Sequence, residues 1–227
     1  VIGGNGSGKS TFLKLLAGLL KPTQGYLTFQ QQTLHSYSTK EIAAKIGYVF
    51  QNPGIQFYRD TVKEELATIL TRFQPQLKLD EEITRLLKQF DLEEFVLKYP
   101  RYLSQGEQQR LAIAMVIARD PEILLLDEPT HGMDFTQKTK LFKLLRNFHQ
   151  KGKTIILATH DIEIIALLSN YVFFFENGKI KNQGDPHRVL LEFTEYKTKL
   201  TQFLKHFLNI QTNIISPNEF LQVINHS

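Results

Sequence analysis

A glycine-rich segment near the start of the chain constrains the fold more than any other feature. It matches the pattern G-x-x-x-x-G-K-[ST] at every position, and a helical pattern follows it directly. Glycines let main-chain N–H groups approach a phosphate without side-chain clashes, and the helix adds the positive end of its dipole. The sequence therefore predicts a loop that binds the phosphates of a nucleoside triphosphate through Gly3, Gly4, Asn5, Gly6, Ser7, Gly8, Lys9, Ser10 and Thr11.

Two side chains of this loop carry specific chemistry. Lys9 places a positive charge on the β- and γ-phosphates, and the hydroxyl of Ser10 is suited to ligate Mg²⁺. The alternative is a glycine-rich turn before an unrelated helix. The match covers eight positions at a junction of strand and helix, which favours phosphate binding.

A second pair of candidate residues follows an apolar strand. Residues 123–127 read Ile-Leu-Leu-Leu-Asp, and Glu128 comes next. Ligands of α/β sheets bind beyond the carboxyl ends of the strands. Asp127 is therefore predicted to orient the metal, and Glu128 to polarise a water for attack on the γ-phosphate. Because buried strands often end in Asp simply where a turn follows, the catalytic interpretation depends on the phosphate loop upstream.

His160 directly follows another predicted strand, residues 154–159. This position lies at the edge of the sheet where phosphates bind, and an imidazole there can donate a hydrogen bond to the γ-phosphate. The alternative is an ordinary surface histidine. Its place after the strand favours a catalytic role as a phosphate sensor.

Strand and helix patterns alternate along the chain, which predicts an α/β fold with a mainly parallel sheet. A helical insertion without strand signals interrupts this rhythm over about residues 61–118. Asn177-Gly178 is a strong signal for a hairpin. The predicted strands are residues 26–29, 46–50, 123–127, 154–159, 171–175 and 179–182, and the main predicted helices are residues 9–19, 104–118, 134–150 and 161–168, with more helix beyond 186.

Composition limits the classes of function. The 227 residues contain no cysteine, which excludes thiolate zinc sites and cysteine catalysis. No apolar run approaches the roughly 20 residues that span a bilayer, so we expect any membrane role to be peripheral. The net charge of +4 comes without a basic block, and no nucleic-acid partner is expected. Only Val1 and Ile2 remain of the strand that should precede the loop, so we expect a chain truncated at its N-terminus.

Residues 103–110, Leu-Ser-Gln-Gly-Glu-Gln-Gln-Arg, resemble the LSGGQ signature of ABC ATPases. Gln51 matches the Q-loop of that family, residues 131–134 match its D-loop, and His160 matches its switch histidine. The motifs occur in family order, so the resemblance covers essentially residues 1–185. It implies a P-loop NTPase fold that binds ATP with Mg²⁺, in which Gln51 contacts the metal and the attacking water.

The resemblance also implies partners. In this family two ATPase subunits dimerise head to tail, and each ATP lies between the phosphate loop of one subunit and the signature of the other. Ser104 and Gly106, at the start of a helix, would form this second anion site, and Asp134 would lie beside the nucleotide. The sequence leaves open whether the dimer is a homodimer or a heterodimer.

A finer resemblance surrounds the Q-loop. Residues 50–57 and 61–66 look like those of energy-coupling factor (ECF) ATPases, which include cobalt and vitamin importers. It implies a multi-span membrane protein as partner, and a position on the cytoplasmic face of the membrane. Residues 186–227 fit the C-terminal extension of such subunits, or equally an amphipathic helix that packs on its own domain.

The chain departs from the family pattern at two signature positions. Gln105 replaces a glycine and Glu107 replaces a glutamine. A carboxylate near bound ATP repels it, so we expect this signature to serve a less active site. The role of His131 stays open, and the residue that stacks on adenine in the family would precede Val1. The rival interpretations are a soluble ABC ATPase acting on ribosomes or DNA, and a regulatory module that binds ATP without hydrolysing it.

Overall fold

The computed structural model describes residues 1–161, 165 and 168–192. Its contacts define two compact units. The terminal unit comprises Val1–Lys9 and Thr159–Ser227, and the central unit comprises Ser10–Ala158. In chain order the described helices and strands are β1 (Ile2–Gly3), α1 (Lys9–Leu16), β2 (Thr28–Phe29), β3 (Gln32–Thr33), α2 (Thr39–Lys45), β4 (Ile46–Val49), α3 (Val62–Phe73), α4 (Leu79–Gln89), α5 (Gln105–Ile117), β5 (Ile123–Asp127), α6 (Phe135–Gln150), β6 (Thr154–Ala158), β7 (Val172–Glu176), β8 (Lys179–Gly184) and α7 (Pro186–Glu192).

The terminal unit contains a small mixed sheet. β1 pairs in parallel with β7, and β7 pairs antiparallel with β8. Asn177 and Gly178 connect the last two strands with φ values of +51° and +76°. A two-residue type I′ turn requires this left-handed pair of conformations, so the predicted hairpin is confirmed.

A parallel sheet in the order β4–β5–β6 forms the centre of the central unit. Leu124, Leu125 and Leu126 of the middle strand are fully buried. A continuous apolar run of this kind indicates that both faces of the sheet are covered. Gly47 lets α5 approach β4 closely, because a Cβ there would lie 2.4 Å from a methyl carbon of Val116.

The predicted helical stretch over residues 61–118 is confirmed as α3, α4 and α5, joined by turns and short 3₁₀ helices. Capping boxes begin α3, at Thr61 and Glu64, and α5, at Ser104 and Glu107. The division of the chain into an ATPase domain over residues 1–185 and a C-terminal extension stays a prediction.

Some predicted boundaries differ from the structure. Helix α1 ends at Leu16 rather than at residue 19, because Gly18 adopts a φ of +69° that ends a right-handed helix. The predicted strand over residues 26–29 is reduced to β2, which forms a small antiparallel hairpin with β3. Sequence reasoning missed this hairpin because β2 and β3 are only two residues long.

Two predicted helical segments fall mostly or partly outside the described residues. These are the helix over residues 161–168 and the extension after residue 186, of which the structure gives only α7. In the described ranges, no helix has the length and apolar character needed to cross a membrane.

Candidate functional site

The glycine-rich loop joins β1 to α1 as predicted. Gly3, Gly6 and Gly8 have φ values of +147°, +74° and +105°, a region that residues with a Cβ rarely adopt. A Cβ on Gly3 would also lie 2.2 Å from the carbonyl oxygen of Phe175. The path of the loop therefore requires its glycines. The exposed loop residues, where a ligand has access, are Gly4, Asn5 and Gly6.

Lys9 is buried at the end of this loop and is only 7% exposed. Its Nζ donates to the carbonyl oxygens of Gly3 at 2.8 Å and Gly4 at 3.0 Å. These acceptors are dipoles rather than full negative charges, so they offset the desolvation of the ammonium group only in part. A bound phosphate group would supply the missing negative charge, which fits the predicted role of Lys9.

Ser10 and Asp127 meet in the central unit, although they lie 117 positions apart in the sequence. The hydroxyl of Ser10 donates to Oδ1 of Asp127 at 3.1 Å, and Asp127 is buried at the end of β5. Hydroxyl and carboxylate oxygens are ligands of Mg²⁺, which usually takes one or two carboxylates together with phosphates and waters. The pair therefore fits the predicted metal.

Sequence reasoning missed Tyr48, a buried residue of β4. Its hydroxyl donates to Oδ2 of Asp127 at 3.1 Å, so the second oxygen of this carboxylate is also occupied. Burial raises the pKa of Tyr48, and the nearby charge of Asp127 raises it further. The phenol therefore stays protonated at neutral pH and remains a donor. A tyrosine within an apolar strand was the available signal, but its partner depends on the pairing of β4 with β5.

Glu128 has an unusual backbone conformation. Its φ is +49°, a left-handed value that is uncommon for residues other than glycine. Its amide donates to the carbonyl oxygen of Ala158 at 2.8 Å, and the residue is buried. Strained conformations of this kind cluster at functional sites. The geometry agrees with the predicted role of Glu128 as the base, which stays a prediction.

His160 is exposed and lies in the terminal unit. The preceding residue, Thr159, donates its amide to the carbonyl oxygen of Val1 at 3.1 Å and accepts a hydrogen bond from the amide of Asp161 at 3.0 Å. The segment that carries His160 therefore lies beside the start of β1, which leads into the glycine-rich loop. This placement agrees with a phosphate sensor, and that role also stays a prediction.

Gln51 is exposed and is the second residue after β4. Asn52 accepts a hydrogen bond from the amide of Gly54 at 3.2 Å and so starts a 3₁₀ turn, Pro53–Gln56. This turn packs against α5. The contacts of Gln51 with metal and water stay predictions.

The signature and the D-loop residues lie against each other in the central unit. Ser104 is exposed as the N-cap of α5, and Gly106 is buried. A Cβ on Gly106 would lie 2.8 Å from the carbonyl oxygen of Gly132, so glycine permits the close contact. Asp134 caps α6 by accepting a hydrogen bond from the amide of Gln137 at 2.8 Å. The structure thus brings together three of the predicted nucleotide-binding positions.

Glu107 completes the capping box of α5. Its Oε2 accepts a hydrogen bond from the Ser104 amide at 2.8 Å, and its own amide donates to the Ser104 hydroxyl at 3.4 Å. The S-x-x-E spacing was a signal for this role. Glu107 therefore has a local structural role at this position, and it places a carboxylate at the exposed start of the helix.

These features define a P-loop ATPase of the ABC class. The family model described as ABC transporter matches residues 1–131, so the chain belongs to this family. The predictions of an α/β P-loop fold and of an ABC-type ATPase are confirmed.

Among individual relatives, the energy-coupling factor transporter ATP-binding protein EcfA of Methanocaldococcus jannaschii is 37% identical over 83% of this chain and 69% of that protein. Other relatives are longer, and the chain spans 50% and 34% of two of them.

Two solved structures are also similar. CbiO1 from Clostridium perfringens, part of the ABC transporter complex CbiONQ, has a TM-score of 0.73 and 30% identity over 92% of this chain and 84% of that chain. The ATP-binding cassette MJ0796, in a dimeric post-hydrolysis state with ADP and Pi, has a TM-score of 0.73 and 29% identity over 82% of this chain and 83% of that chain. The predicted resemblance to ECF-type ATPases is confirmed.

Proposed function

We propose that the chain is the ATP-hydrolysing subunit of an ECF-type importer for vitamins or metal ions. It would act on the cytoplasmic face of the membrane, as a homodimer or heterodimer of ABC ATPase subunits bound to a multi-span membrane protein. The hydrogen bond between Ser10 and Asp127 carries the enzymatic part of the proposal. The similarity to EcfA and CbiO1 supports the transport part.

Each residue has a defined task in this proposal. Lys9 would bind the β- and γ-phosphates, and Ser10 with Asp127 would hold Mg²⁺. The metal, when bound, neutralises charge that develops on the phosphates during hydrolysis. Glu128 accepts a proton from the attacking water, and His160 donates a hydrogen bond to the γ-phosphate.

The proposed dimer interface includes the exposed start of α5. The N-terminus of a helix attracts anions because its amides and its dipole both point outward. Ser104 occupies this exposed end, and Asp134 lies on the segment that packs against it. We propose that this surface contacts the ATP held by the phosphate loop of the second subunit. The dimeric state of MJ0796 supports a dimer of ATPase subunits.

A group of exposed apolar side chains near Gln51 is the proposed docking site for the membrane protein, and we call it the partner surface. Tyr58 and Tyr102 are 82% and 85% exposed, and large apolar side chains grouped at a surface often mark an interaction site. The partner surface comprises Ile55, Tyr58, Leu97 and Tyr102.

Two hydrogen bonds connect the chain around Tyr58, together with the start of α3, to the chain that carries Leu97 and Tyr102. Arg101 Nη2 donates to the carbonyl oxygen of Phe57 at 3.3 Å. The amide of Val62 donates to the carbonyl oxygen of Lys98 at 3.1 Å. The 3₁₀ turn after Gln51 begins this surface, so docking of a partner can act on the residue proposed to contact the metal.

The first test is capture of partners by a tagged chain from membranes, followed by an ATPase assay of the purified complex. A multi-span membrane protein that co-purifies and stimulates hydrolysis supports the proposal. Ribosomes or nucleic acid without a membrane protein would leave the ATPase standing and overturn the transport role.

Glu128→Gln tests the chemistry directly. We expect the variant to bind ATP, to lose hydrolysis and to accumulate as a closed dimer, because the amide cannot accept the proton of water. Size-exclusion chromatography with ATP measures the dimer, and exposed Glu93→Gln serves as the control. Rapid turnover by Glu128→Gln would contradict the assignment of the base.

A further inference from the structure

The carboxylate of Asp127 is held from two sides. Ser10 donates to Oδ1 at 3.1 Å, and the hydroxyl of Tyr48 donates to Oδ2 at 3.1 Å. Ser10 belongs to the loop-helix junction and Tyr48 to β4, the strand paired with β5. The two contacts together fix the rotation of the carboxylate group about its terminal bond.

We propose that Tyr48 is a positioning residue for the metal site: it engages Oδ2 of Asp127 so that Oδ1 stays directed towards Ser10, the residue with which Asp127 would hold Mg²⁺. This inference rests on the proposed function of Ser10 and Asp127. It adds a residue outside the nucleotide-binding motifs to the site.

The surroundings of Tyr48 make it suited to this task. Its side chain is buried, and its ring packs edge-to-face on Phe50, with 4.5 Å between the ring centroids. The strand register fixes its main chain, since Tyr48 pairs with Leu125 and Val49 with Leu126. A donor held by packing and by main-chain pairing keeps one direction, whereas a donor on a loop does not.

The physical effect expected is on metal binding. Partners that orient a metal ligand contribute to affinity without touching the metal, and their loss typically costs about 10-fold to 100-fold in metal affinity or activity. Without the hydroxyl of Tyr48, the carboxylate can rotate and Oδ2 has one fewer donor. Asp127 would then present several orientations to Mg²⁺, and metal binding would be weaker.

The test is Tyr48→Phe, which removes one oxygen atom and keeps the ring. We expect the Mg²⁺ concentration for half-maximal ATPase activity to rise about tenfold, whereas affinity for a fluorescent ATP analogue in EDTA stays unchanged. A second readout needs no turnover: the improvement in analogue affinity on adding Mg²⁺ or Mn²⁺ should shrink in the variant. A merely structural role would not separate the metal-dependent from the metal-free measurements.

The matched control is Tyr37→Phe. Tyr37 also donates its hydroxyl at 3.0 Å, but to the main-chain carbonyl oxygen of Phe29, and its variant should keep the metal dependence of the wild type. If Tyr48→Phe no longer binds the ATP analogue in EDTA, the same metal titrations are made with Tyr48→Met, which also lacks the hydroxyl.

The outcomes separate the two proposals. A wild-type chain that neither binds ATP nor hydrolyses it with Mg²⁺ overturns the proposed function. An active wild type with an unchanged metal dependence in Tyr48→Phe overturns only the role of Tyr48. A weakened metal dependence in that variant, with the control unchanged, establishes it.

Discussion

Glu65 offers a quantitative test of how the partner surface is built. This carboxylate is only 3% exposed, and its Oε1 accepts hydrogen bonds from the main-chain amides of Tyr58 and Arg59, the latter at 2.7 Å. Glu65 lies on α3, so these bonds tie the loop that carries Tyr58 to a helix of the central unit. No local sequence pattern indicates this role, because Glu65 is one of two acidic residues in the first turn of α3.

The magnitude follows from the two bonds. A hydrogen bond to a charged group contributes about 1.5–3 kcal/mol. Tyr58 and Arg59 are exposed, so their amides regain water in part when the carboxylate is removed, and we take about 1.5 kcal/mol for each. Glu65→Ala should therefore lower the free energy of unfolding by about 3 kcal/mol. Glu65→Gln keeps an acceptor oxygen without the charge and should cost about half as much.

Urea denaturation followed by circular dichroism measures both variants. Glu81→Ala is the control, since Glu81 lies on the exposed side of α4 and pairs with Lys78 at the surface; it should change stability by less than about 0.5 kcal/mol. A cost below about 1 kcal/mol for Glu65→Ala, or a Gln variant less stable than the Ala variant, would refute the reasoning.

Two further predictions concern the proposed interfaces. Tyr102→Ser should abolish capture of the membrane protein and leave nucleotide affinity intact, whereas Tyr26→Ser, at another exposed tyrosine, should leave capture unchanged; equal capture by both variants would remove Tyr102 from the partner surface. Glu107→Gln should raise the ATPase rate of the dimer, because glutamine still completes the capping box while the negative charge beside Ser104 is lost. A steady-state assay in which this variant is no faster than wild type would show that the carboxylate does not repel the nucleotide.

Much of the fold was predictable because its signals are local. The hairpin at Asn177-Gly178 needs only two residues that tolerate positive φ. The glycines of the phosphate loop likewise indicate a backbone with positive φ values. The end of α1 was misplaced because leucines continue the helical pattern beyond Leu16, while Gly18 alone ends it. Apolar periodicity therefore overestimated the length of the helix.

The residues of the candidate site also form two groups: those that local motifs predict and those that only the folded structure reveals. Lys9, Ser10, Asp127 and Glu128 belong to contiguous motifs, and their spacing along the chain identifies them without a structure. Tyr48 and Glu65 belong to no motif. Their importance depends on groups that come close only after folding: Oδ2 of Asp127 for Tyr48, and two loop amides for Glu65.

The sequence by itself thus determined the class of fold, the phosphate loop and the acidic residues expected to act beside it. These features depend on backbone conformation and side-chain chemistry within short runs of consecutive residues. Only the tertiary structure decided which oxygen of Asp127 meets Ser10 and which meets Tyr48, and how Gly106 lies against Gly132. Strand register and helix packing place these groups together, and both are set by burial of the whole apolar core rather than by any local pattern.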